Sequence, residues 1–387
     1  NIHKLTKRND MEFVVSSTEL LNRLQTISRV INPKNALQIL DNFLFELKGN
    51  TLTVVATDIE TTLITSLEVI NAKGSGRVAI TSRLLLDTLR EFSEQPLTFS
   101  INDTNLSLTI LSANGTYNFI GQNADEYPRI PEIDEENSNL VVPGVNLFSG
   151  ISKTLFASVD DDFRPVMSGI YFDIVPEGLT IVATDAHKLV RFKTIYTSAS
   201  LKEEAMSFIL PKKPANLLKN ILPKESGDVL IKFDEKRVLF QLSNYTLIGL
   251  QIEGRYPNYN AVIPTSNPYK VIIDRVNFLN AIKRVSIFSN QASNLIKLVF
   301  ENQQVHISAQ DIDFSISAEE VIPCQFEGET FTIGFKATFL IEILSSLDSS
   351  EVIIELSDPT HGALFFPFEK KENEEVVMLL MPMLLND

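Results

Sequence analysis

The feature that most constrains this chain is an internal repeat that occurs three times. A strand-like segment that ends in a polar turn recurs with its aspartate at Asp58, Asp185 and Asp311. These aspartates lie 127 and 126 residues apart in a chain of 387 residues. A fixed period of this kind indicates that one structural unit has been duplicated, so the fold of one unit predicts that of the whole chain.

Two strand-to-helix junctions recur in the same order around that segment. The first junction begins at Phe13, Leu140 and Val271, and the second begins at Val78, Phe208 and Thr332. Each unit is therefore predicted to contain two helices and several short strands with alternating apolar residues. Because two helices cannot cover so many strands on both faces, we expect an α+β fold whose antiparallel sheets carry helices on one side only.

Matching proline-bearing segments mark where one unit passes into the next. They are residues 126–131 and 255–259, and proline at such positions stiffens the connection and ends strand pairing. The predicted domains are residues 11–135, 136–264 and 265–387, preceded by an extension of residues 1–10. That extension lacks the apolar middle of a signal peptide, and no apolar run reaches the roughly 18 residues of a membrane helix. We therefore expect a cytoplasmic protein.

The acidic composition limits how this chain could bind nucleic acid. It has 34 Lys and Arg against 49 Asp and Glu, which gives a formal net charge of −15. Electrostatic attraction to phosphate needs a basic surface, so a DNA-binding role would require the positive charge to be gathered on one face.

The predicted helices suggest such a face. Five of the six carry basic or amide side chains opposite their apolar stripe, whereas the sixth, near Phe339, presents Glu342. Basic side chains are ordinary on any single solvated helix, but their recurrence at equivalent positions favours a shared positive surface. The residues concerned are Arg29, Arg83, Arg90, Lys153, Lys212, Lys213, Lys219 and Arg284.

Patterns that would indicate catalysis or metal binding are weak. Cys324 is the only cysteine, and the four histidines show no paired spacing. His187 lies near Asp185 in sequence without an accompanying nucleophile, and residues 160–162 lack the glycine and later glutamate of a calcium loop. The sequence therefore predicts no catalytic residue, no metal site and no cofactor.

Four segments resemble the beta subunit of bacterial DNA polymerase III, the beta sliding clamp family. They are residues 184–189, 254–259, 333–335 and 381–385, and the resemblance extends from Met11 to Leu385. It implies a non-catalytic processivity factor that encircles duplex DNA, slides along it and tethers the replicative polymerase. It also implies a head-to-tail homodimer whose six similar domains form a ring, with helices lining the hole and sheets outside.

The resemblance also implies partners and contact residues. The partners are double-stranded DNA, the DNA polymerase III alpha subunit, clamp loader subunits and other proteins with a clamp-binding motif, all at the bacterial nucleoid. A closed ring retains DNA by topology, so weak phosphate contacts suffice and a net charge of −15 is tolerable. Family DNA contacts map onto Lys34, Arg164, Lys212 and Lys213, and dimer contacts map onto Tyr117, Ile287 and Phe288.

A groove for partner peptides between the second and third domains is a further expectation from the family. It maps onto Met167, Thr184, Ala186, His187, Lys188, Leu189, Pro257, Val262, Leu379, Leu380, Met381, Pro382, Met383 and Leu385. The apolar end of the chain supports this placement independently. A buried last strand accounts for residues 376–380 but not for the Met-Pro-Met sequence beyond it. Flexible methionines suit a surface that receives several different peptides.

Two other classes of protein remain as alternatives. A repeat hydrolase with a site at a domain junction would need a nucleophile, a base and oxyanion donors that converge, and no such set is visible. A monomeric protein-interaction scaffold that never meets DNA could be built from the same repeat.

Overall fold

The computed structural model describes residues 10–133, 139–175, 178–195 and 206–385, so residues 1–9 of the predicted extension and residues 386–387 lie outside it. Within these ranges the chain forms six α-helices, none of them long and apolar enough to cross a lipid bilayer. They are α1 (Ser17–Ile27), α2 (Ser82–Arg90), α3 (Gly144–Thr154), α4 (Lys212–Ile221), α5 (Arg275–Ser286) and α6 (Ala337–Ser346).

The described ranges also contain 26 strands, distributed over the three predicted domains. The first domain contains β1 (Met11–Ser16), β2 (Asn42–Lys48), β3 (Thr51–Thr57), β4 (Thr61–Glu68), β5 (Ile70–Lys73), β6 (Gly76–Thr81), β7 (Pro96–Ile101), β8 (Ser107–Leu111) and β9 (Thr116–Ile120). The second contains β10 (Asn139–Pro143), β11 (Gly169–Val175), β12 (Gly178–Thr184), β13 (Lys188–Ile195), β14 (Met206–Pro211), β15 (Asp228–Phe233), β16 (Arg237–Gln241) and β17 (Tyr245–Leu250). The third contains β18 (Tyr269–Asp274), β19 (Leu295–Glu301), β20 (Gln304–Asp311), β21 (Ile316–Pro323), β22 (Gln325–Phe326), β23 (Phe331–Lys336), β24 (Glu351–Leu356), β25 (Ala363–Pro367) and β26 (Glu374–Leu380).

These strands pair antiparallel into four sheets. Sheet 1 has the order β5-β1-β7-β8-β9, and sheet 2 has the order β10-β15-β16-β17-β4-β3-β2-β6. Sheet 3 has the order β14-β11-β12-β13-β26-β25-β24-β18-β22, and sheet 4 has the order β21-β20-β19-β23. Sheets 1 and 4 each come from one domain, whereas sheets 2 and 3 each combine strands of two neighbouring domains.

The chain packs as two compact units that do not follow the predicted domain boundaries. The first unit contains the chain up to Gly144 together with Asn216–Gln251, and the second contains Val145–Ala215 together with Ile252–Asp387. Sheets 1 and 2 belong to the first unit, and sheets 3 and 4 belong to the second. The middle domain is divided because β10 and β15–β17 pair into sheet 2, whereas β11–β14 pair into sheet 3.

The three recurring sequence patterns occupy equivalent structural positions in each domain. The segment that ends at the repeated aspartate forms β3, β12 and β20. The first strand-to-helix junction is β1–α1, β10–α3 and β18–α5, and the second is β6–α2, β14–α4 and β23–α6. The predicted α+β fold, made of three copies of a two-helix unit, is therefore confirmed.

The apolar stripe predicted for the first helix is buried as expected. Leu20, Leu24 and Ile27 of α1 have no exposed surface. The Ser16 hydroxyl caps this helix by accepting a hydrogen bond of 3.1 Å from the Glu19 N–H. A cap of this kind satisfies a backbone N–H that the first helical turn leaves without a partner.

Neighbouring domains are joined by strand pairs of the same register. In sheet 2, Leu247 of β17 lies opposite Leu63 of β4. In sheet 3, Met378 of β26 lies opposite Val190 of β13. Both junctions are continuous antiparallel ladders, so backbone hydrogen bonds hold one domain to the next within each unit.

In sheets 1 and 4, the strands equivalent to these paired strands lie at sheet edges. β9 is equivalent to β17 and β26, and β21 is equivalent to β4 and β13. β9 is an edge of sheet 1, and β21 is an edge of sheet 4. Both carry exposed apolar side chains: Tyr117 and Ile120 are 39% and 81% exposed, and Ile316 and Val321 are 40% and 46% exposed. An edge strand with free backbone groups and apolar side chains is a template for pairing with another chain.

Candidate functional site

The turn between β12 and β13 is held by the side chains of its own residues. Thr184 Oγ1 donates to the Lys188 carbonyl at 2.8 Å and accepts from the Ala186 N–H at 3.1 Å. Asp185 Oδ1 accepts from the His187 and Lys188 N–H groups at 2.9 and 2.8 Å. These bonds support Ala186 at a φ of 73°, in the left-handed region that residues other than glycine seldom adopt. Ala186 and His187 are exposed at the tip.

The same turn is built between β3 and β4 in the first domain. Thr57 Oγ1 donates to the Thr61 carbonyl at 3.0 Å, and Asp58 Oδ1 accepts from the Thr61 N–H at 2.7 Å. Ile59 takes the position of Ala186, with a φ of 83°. The Thr-Asp sequence shared by the two domains is therefore explained as a turn-forming element.

A buried group of charges lies beside the second-domain turn. Lys188 is 4% exposed, and its Nζ lies 2.6 Å from Asp185 Oδ2 and 3.1 Å from Glu342 Oε2 on α6. Burial alone would raise the pKa of Asp185, but hydrogen bonds from Lys188 Nζ and from two backbone N–H groups outweigh it and lower that pKa. Glu342, the acid that departed from the basic pattern of the helices, is thus paired with a lysine.

The end of the chain crosses from this turn to β23. Beyond β26, the Met381 N–H donates to the His187 carbonyl at 2.8 Å, and the Met383 N–H donates to the Gly334 carbonyl at 2.8 Å. A Cβ at position 334 would lie 2.9 Å from the Met383 carbonyl oxygen, so this close approach needs glycine. The terminal segment is therefore anchored at two points instead of fraying.

The turn and the terminal segment adjoin a buried apolar cluster of the second unit. The cluster consists of Val182, Leu189, Ile209, Tyr256, Tyr259, Leu364, Val377 and Leu379. Tyr171 packs on it, and the rings of Tyr171 and Tyr256 stack with their centroids 4.6 Å apart. Burial, together with the Asp173 carboxylate 3.0 Å from the Tyr259 hydroxyl, raises the pKa of Tyr259 to about 12. This cluster, which we call the floor, is therefore tightly packed and rich in aromatic rings, and Tyr259 stays protonated at neutral pH.

All the predicted groove residues belong to the second unit, but they differ in exposure. Val262 and Met381 are 58% and 40% exposed. Met167, Pro257, Pro382, Met383 and Leu385 are half-buried. Accessible apolar side chains over a packed floor form the kind of surface that an apolar ligand residue can cover.

Leu380 does not share that surface. It is fully buried, and the alternation of side chains along β26 places it on the opposite face of the strand from Leu379. The prediction that the Leu380 side chain lines the groove is therefore wrong. Thr184 and Lys188 are also buried, and their side chains build the turn.

Lys153 on α3 departs most from the predicted helix faces. It is only 7% exposed, and its Nζ lies 3.2 Å from Glu374 Oε2 and 3.0 Å from Ser149 Oγ. The prediction that Lys153 faces solvent and contacts DNA is therefore wrong. A helical projection assigns this side of α3 to solvent, but a carboxylate at the start of β26, from the following domain, occupies it.

The other predicted basic residues are accessible to different degrees. Arg29, Lys34, Arg83, Arg90, Lys219 and Arg284 are exposed, and Arg164, Lys212 and Lys213 are half-buried. Several already contact a carboxylate at 2.6 to 3.0 Å: Arg90 with Asp87, Arg164 with Asp161, Lys212 with Asp160 and Arg284 with Glu320. The Glu320 carboxylate accepts from both Nε and Nη2 of Arg284, which raises the pKa of this guanidinium.

Family comparisons account for almost the whole chain. The DNA polymerase III beta subunit models match residues 11–131 with the N-terminal domain, 141–258 with the central domain and 260–384 with the C-terminal domain. The chain belongs to the DNA polymerase III beta subunit family.

Relatives of this beta-subunit chain match it from end to end. The beta sliding clamp of Synechococcus elongatus is 26% identical over 384 residues, which covers 97% of this chain and 100% of the relative. The beta sliding clamp of Staphylococcus epidermidis is 26% identical over 380 residues, which covers 96% of this chain and 99% of the relative.

Solved structures of sliding clamps share the fold. The clamp of Bartonella birtlesii, crystallised with griselimycin, matches with a TM-score of 0.89 and 26% identity over 97% of this chain and 100% of that one. A clamp of Pseudomonas aeruginosa, also bound to griselimycin, matches with a TM-score of 0.90 and 23% identity at the same coverage. The predicted clamp fold is therefore confirmed.

Two residues near the turn of this beta-subunit chain were not singled out by sequence. The ring of Phe339, on α6, stacks 6.0 Å from the ring of His187, and the ammonium groups of Lys188 and Lys336 lie 4.0 and 4.7 Å from its centroid. Cations over an aromatic face are attracted by its quadrupole. Lys336 is the last residue of β23, and Phe339 lies in the first turn of α6. Their local sequence is an ordinary strand-to-helix junction, and only the fold brings them to the turn.

Replacing Asp185 with Asn should lower the free energy of unfolding by about 2 kcal/mol at neutral pH, because buried Lys188 loses its nearest carboxylate. The pKa of Asp185 is lowered in the folded protein, so its contribution is full above the ordinary aspartate value and is lost as pH falls through the folded value. The difference between wild type and variant should therefore shrink below about pH 4, as measured by urea denaturation at a series of pH values.

The matched control is Asp58→Asn in the equivalent first-domain turn, where Thr61 stands in place of Lys188. Asn Oδ1 can still accept the backbone hydrogen bonds in both turns, so the comparison separates the loss of the turn aspartate from the loss of the Lys188 contact. An Asp185→Asn effect that is constant from neutral pH to pH 3, or equal to that of Asp58→Asn, would contradict the assignment.

Proposed function

We propose that this chain is a DNA polymerase processivity factor that works as a homodimeric ring, encircles duplex DNA and tethers the replicative polymerase. The observation that carries the proposal is the position of two strands, β9 and β21, at sheet edges of this beta-subunit chain. Their equivalents in the other domains pair with each other where neighbouring domains meet. A head-to-tail second copy would supply the missing partner at both edges. Six domains would then close without leaving such an edge.

The repeat predicts which residues of the two edges align. On one side, Ala56, Ala183 and Ala309 are equivalent, and the residues opposite them are Leu63, Val190 and Ala318. On the other side, Tyr117, Leu247 and Met378 are equivalent. Each lies opposite the same position of the preceding strand of its domain, which Ile110, Phe240 and Phe365 occupy.

The register of the closing pair follows from these equivalences. Leu247 lies opposite Leu63 and Met378 lies opposite Val190, so Tyr117 of one copy should lie opposite Ala318 of the other. The predicted dimer residues Ile287 and Phe288, at the end of α5, are 74% and 37% exposed. Burying such side chains against a second copy would stabilise the closed ring.

Contacts to DNA are assigned to basic residues with accessible side chains. They are Arg29, Lys34, Arg83, Arg90 and Lys219 in the first unit, and Arg164, Lys212, Lys213 and Arg284 in the second. Nε and Nη2 of Arg284 donate to Glu320, so Arg284 would contact phosphate through Nη1. Because a ring holds DNA by enclosure, these contacts need only be weak, and weak contacts permit sliding.

Partner binding is assigned to the surface made by the turn at Asp185 and the terminal segment. We propose that the DNA polymerase III alpha subunit, clamp loader subunits and other proteins with a clamp-binding motif insert a short apolar peptide there. The exposed Met381 and Val262 would cover it, and the buried Leu379 would form its floor. Methionine adapts its shape to different ligands, which suits one surface with several partners.

The remaining parts of the proposal follow from the same role. The chain acts as a non-catalytic accessory subunit on bacterial DNA in the cytoplasm, with three domains at residues 11–135, 136–264 and 265–387. A monomeric scaffold that never meets DNA would leave the apolar side chains of β9 and β21 exposed to water, which disfavours that alternative.

A ring predicts retention that depends on the topology of the DNA. After loading onto a nicked circular plasmid by the cognate clamp loader, the protein should remain with the DNA through gel filtration at high salt. A single restriction cut should release it, because the ring slides off the new ends. Equal retention on circular and linear DNA would rule out topological binding.

The closing register predicts a specific disulfide between two copies. Thr116 and Glu319 are neighbours of Tyr117 and Ala318, and their equivalents Val377 and Arg191 lie opposite each other in sheet 3. Directly opposed residues lie about 4.5–5.5 Å apart at Cα, within the range of a disulfide. The double variant Thr116→Cys/Glu319→Cys should form a covalent dimer on mild oxidation, seen on a non-reducing gel.

The matched control for that experiment is Thr116→Cys/Ser317→Cys. Its residues share the same faces but are displaced by two positions along β21, about 7 Å, so cross-linking should be slow. The native Cys324 is 8% exposed and should not compete. Equal cross-linking of both pairs, or of neither, would overturn the register.

Removing residues 381–387 should abolish binding of a peptide with the clamp-binding motif of the alpha subunit, because this segment forms one wall of the groove. Fluorescence anisotropy measures the affinity, and light scattering should still give about twice the 43.4 kDa chain mass. The control variant lacks only residues 386–387 and should bind like the wild type. Unchanged affinity after the longer deletion would remove the groove assignment.

A further inference from the structure

A cavity of about 450 Å³ lies in the second unit, at the opposite end of the β13–β26 pair from the turn at Asp185. Its walls come from the ends of β13 and β26, the loop between β25 and β26, Lys153 of α3 and Asp348 after α6. None of the predicted DNA, dimer or groove residues lines it except the buried Lys153. The cavity therefore needs an explanation of its own.

Two of the carboxylates that line the cavity are already paired with lysines. Glu374 Oε2 accepts from Lys153 Nζ and from Ser149 Oγ, each at 3.2 Å. Asp348 lies 2.6 Å from Lys371 Nζ, and although burial alone would raise its pKa, the hydrogen bond from this lysine and nearby positive charge lower it. Both acids are therefore paired with lysines of the same chain.

The carboxylates nearer the rim are engaged as well. Glu375 Oε1 lies 2.6 Å from Arg191 Nη2, and Glu369 accepts from the Ser350 N–H at 3.0 Å. By contrast, Lys193 and Lys370 line the cavity and form no ion pair with any residue that the structure describes. Glu369 accepts its hydrogen bond from a neutral residue and keeps its negative charge, so Lys193 and Lys370 leave the lining with an excess of one positive charge, although the chain as a whole is acidic.

The cavity and the proposed partner groove adjoin the same buried apolar cluster. Val377 lines the cavity and belongs to the buried cluster that also contains Leu379, and Phe366 lines the cavity and packs against that cluster. The four residue steps from Leu379 to Glu375 span about 13 Å of strand. An extended peptide covers that distance in about four residues.

We propose that this cavity is a second contact site for partner proteins, which receives an acidic residue flanking the apolar residue that enters the groove. The proposal rests on the proposed function of the groove. Lys193 and Lys370 supply the positive charge that such a carboxylate needs, and Ile195, Phe366 and Val377 supply apolar contact for its neighbours. The short distance between the cavity and the groove, about 13 Å along one face of β26, selects a segment of the same partner chain as the occupant.

Selection from a phage-displayed library of random 16-residue peptides tests this proposal without a known partner. The wild-type protein should enrich peptides with an apolar anchor and with Asp or Glu about four to six positions away from it. The variant Lys193→Glu/Lys370→Glu should enrich the same anchor without the acidic residues. The matched control is Lys236→Glu/Lys297→Glu, two exposed lysines outside the cavity, and it should enrich the same peptides as the wild type.

The affinity of one selected acidic peptide gives the size of the effect. Its dissociation constant should rise about tenfold for Lys193→Glu/Lys370→Glu at low salt and by less at high salt, because both lysines are solvent-accessible. The control variant should stay within about twofold of the wild type. Changing the acidic residues of the peptide to Gln should remove the difference between the proteins.

The outcomes separate this proposal from that of the groove. Suppose that the wild type selects an apolar anchor and that the variant without residues 381–387 does not. This result supports the groove, whether or not acidic residues flank the anchor. A selected anchor without acidic enrichment, or with enrichment that survives Lys193→Glu/Lys370→Glu, would overturn the cavity proposal alone. If no apolar anchor is selected, or if selection survives the deletion, the groove fails and the cavity proposal fails with it.

Discussion

Antiparallel pairing between strands of neighbouring repeats is the interaction on which the rest of this structure depends. β17 pairs with β4 and β13 pairs with β26 in one common register, so two sheets are each built from two domains. The ladders satisfy backbone groups along both strands and leave β9 and β21 as the corresponding edges. A single mode of association therefore produces both the internal junctions and the edges that we assign to ring closure.

The same pairing places two sites at opposite ends of one strand pair. At one end, the turn held by Asp185 meets the terminal segment through the hydrogen bond from Met381 to His187. At the other end, the cavity opens where Lys193 lies opposite Glu375. Because Leu379 and Glu375 lie on the same face of β26 about 13 Å apart, one extended partner peptide would reach both proposed sites.

Positive charge has two uses in this acidic chain. Lys153 and Lys188 are buried and pair with Glu374 and Glu342 of the third domain, so they fix which surfaces meet. A buried ion pair such as Lys153–Glu374 adds little net stability because of its desolvation cost, but losing one partner is expensive, which makes such a contact selective. The lysines and arginines available for the DNA contacts that we propose are therefore fewer than a helical projection predicts.

The sequence by itself determined the threefold repeat, the fold class and the buried stripes, because these depend on local periodicity that each segment carries alone. The Thr-Asp turn was visible for the same reason, since Thr184 and Asp185 bond within five residues. Only the tertiary structure decided that Lys153 is buried beside Glu374 and that Phe339 lies beside His187. Those outcomes depend on strands and helices of the next repeat, whose position no single helix or strand encodes.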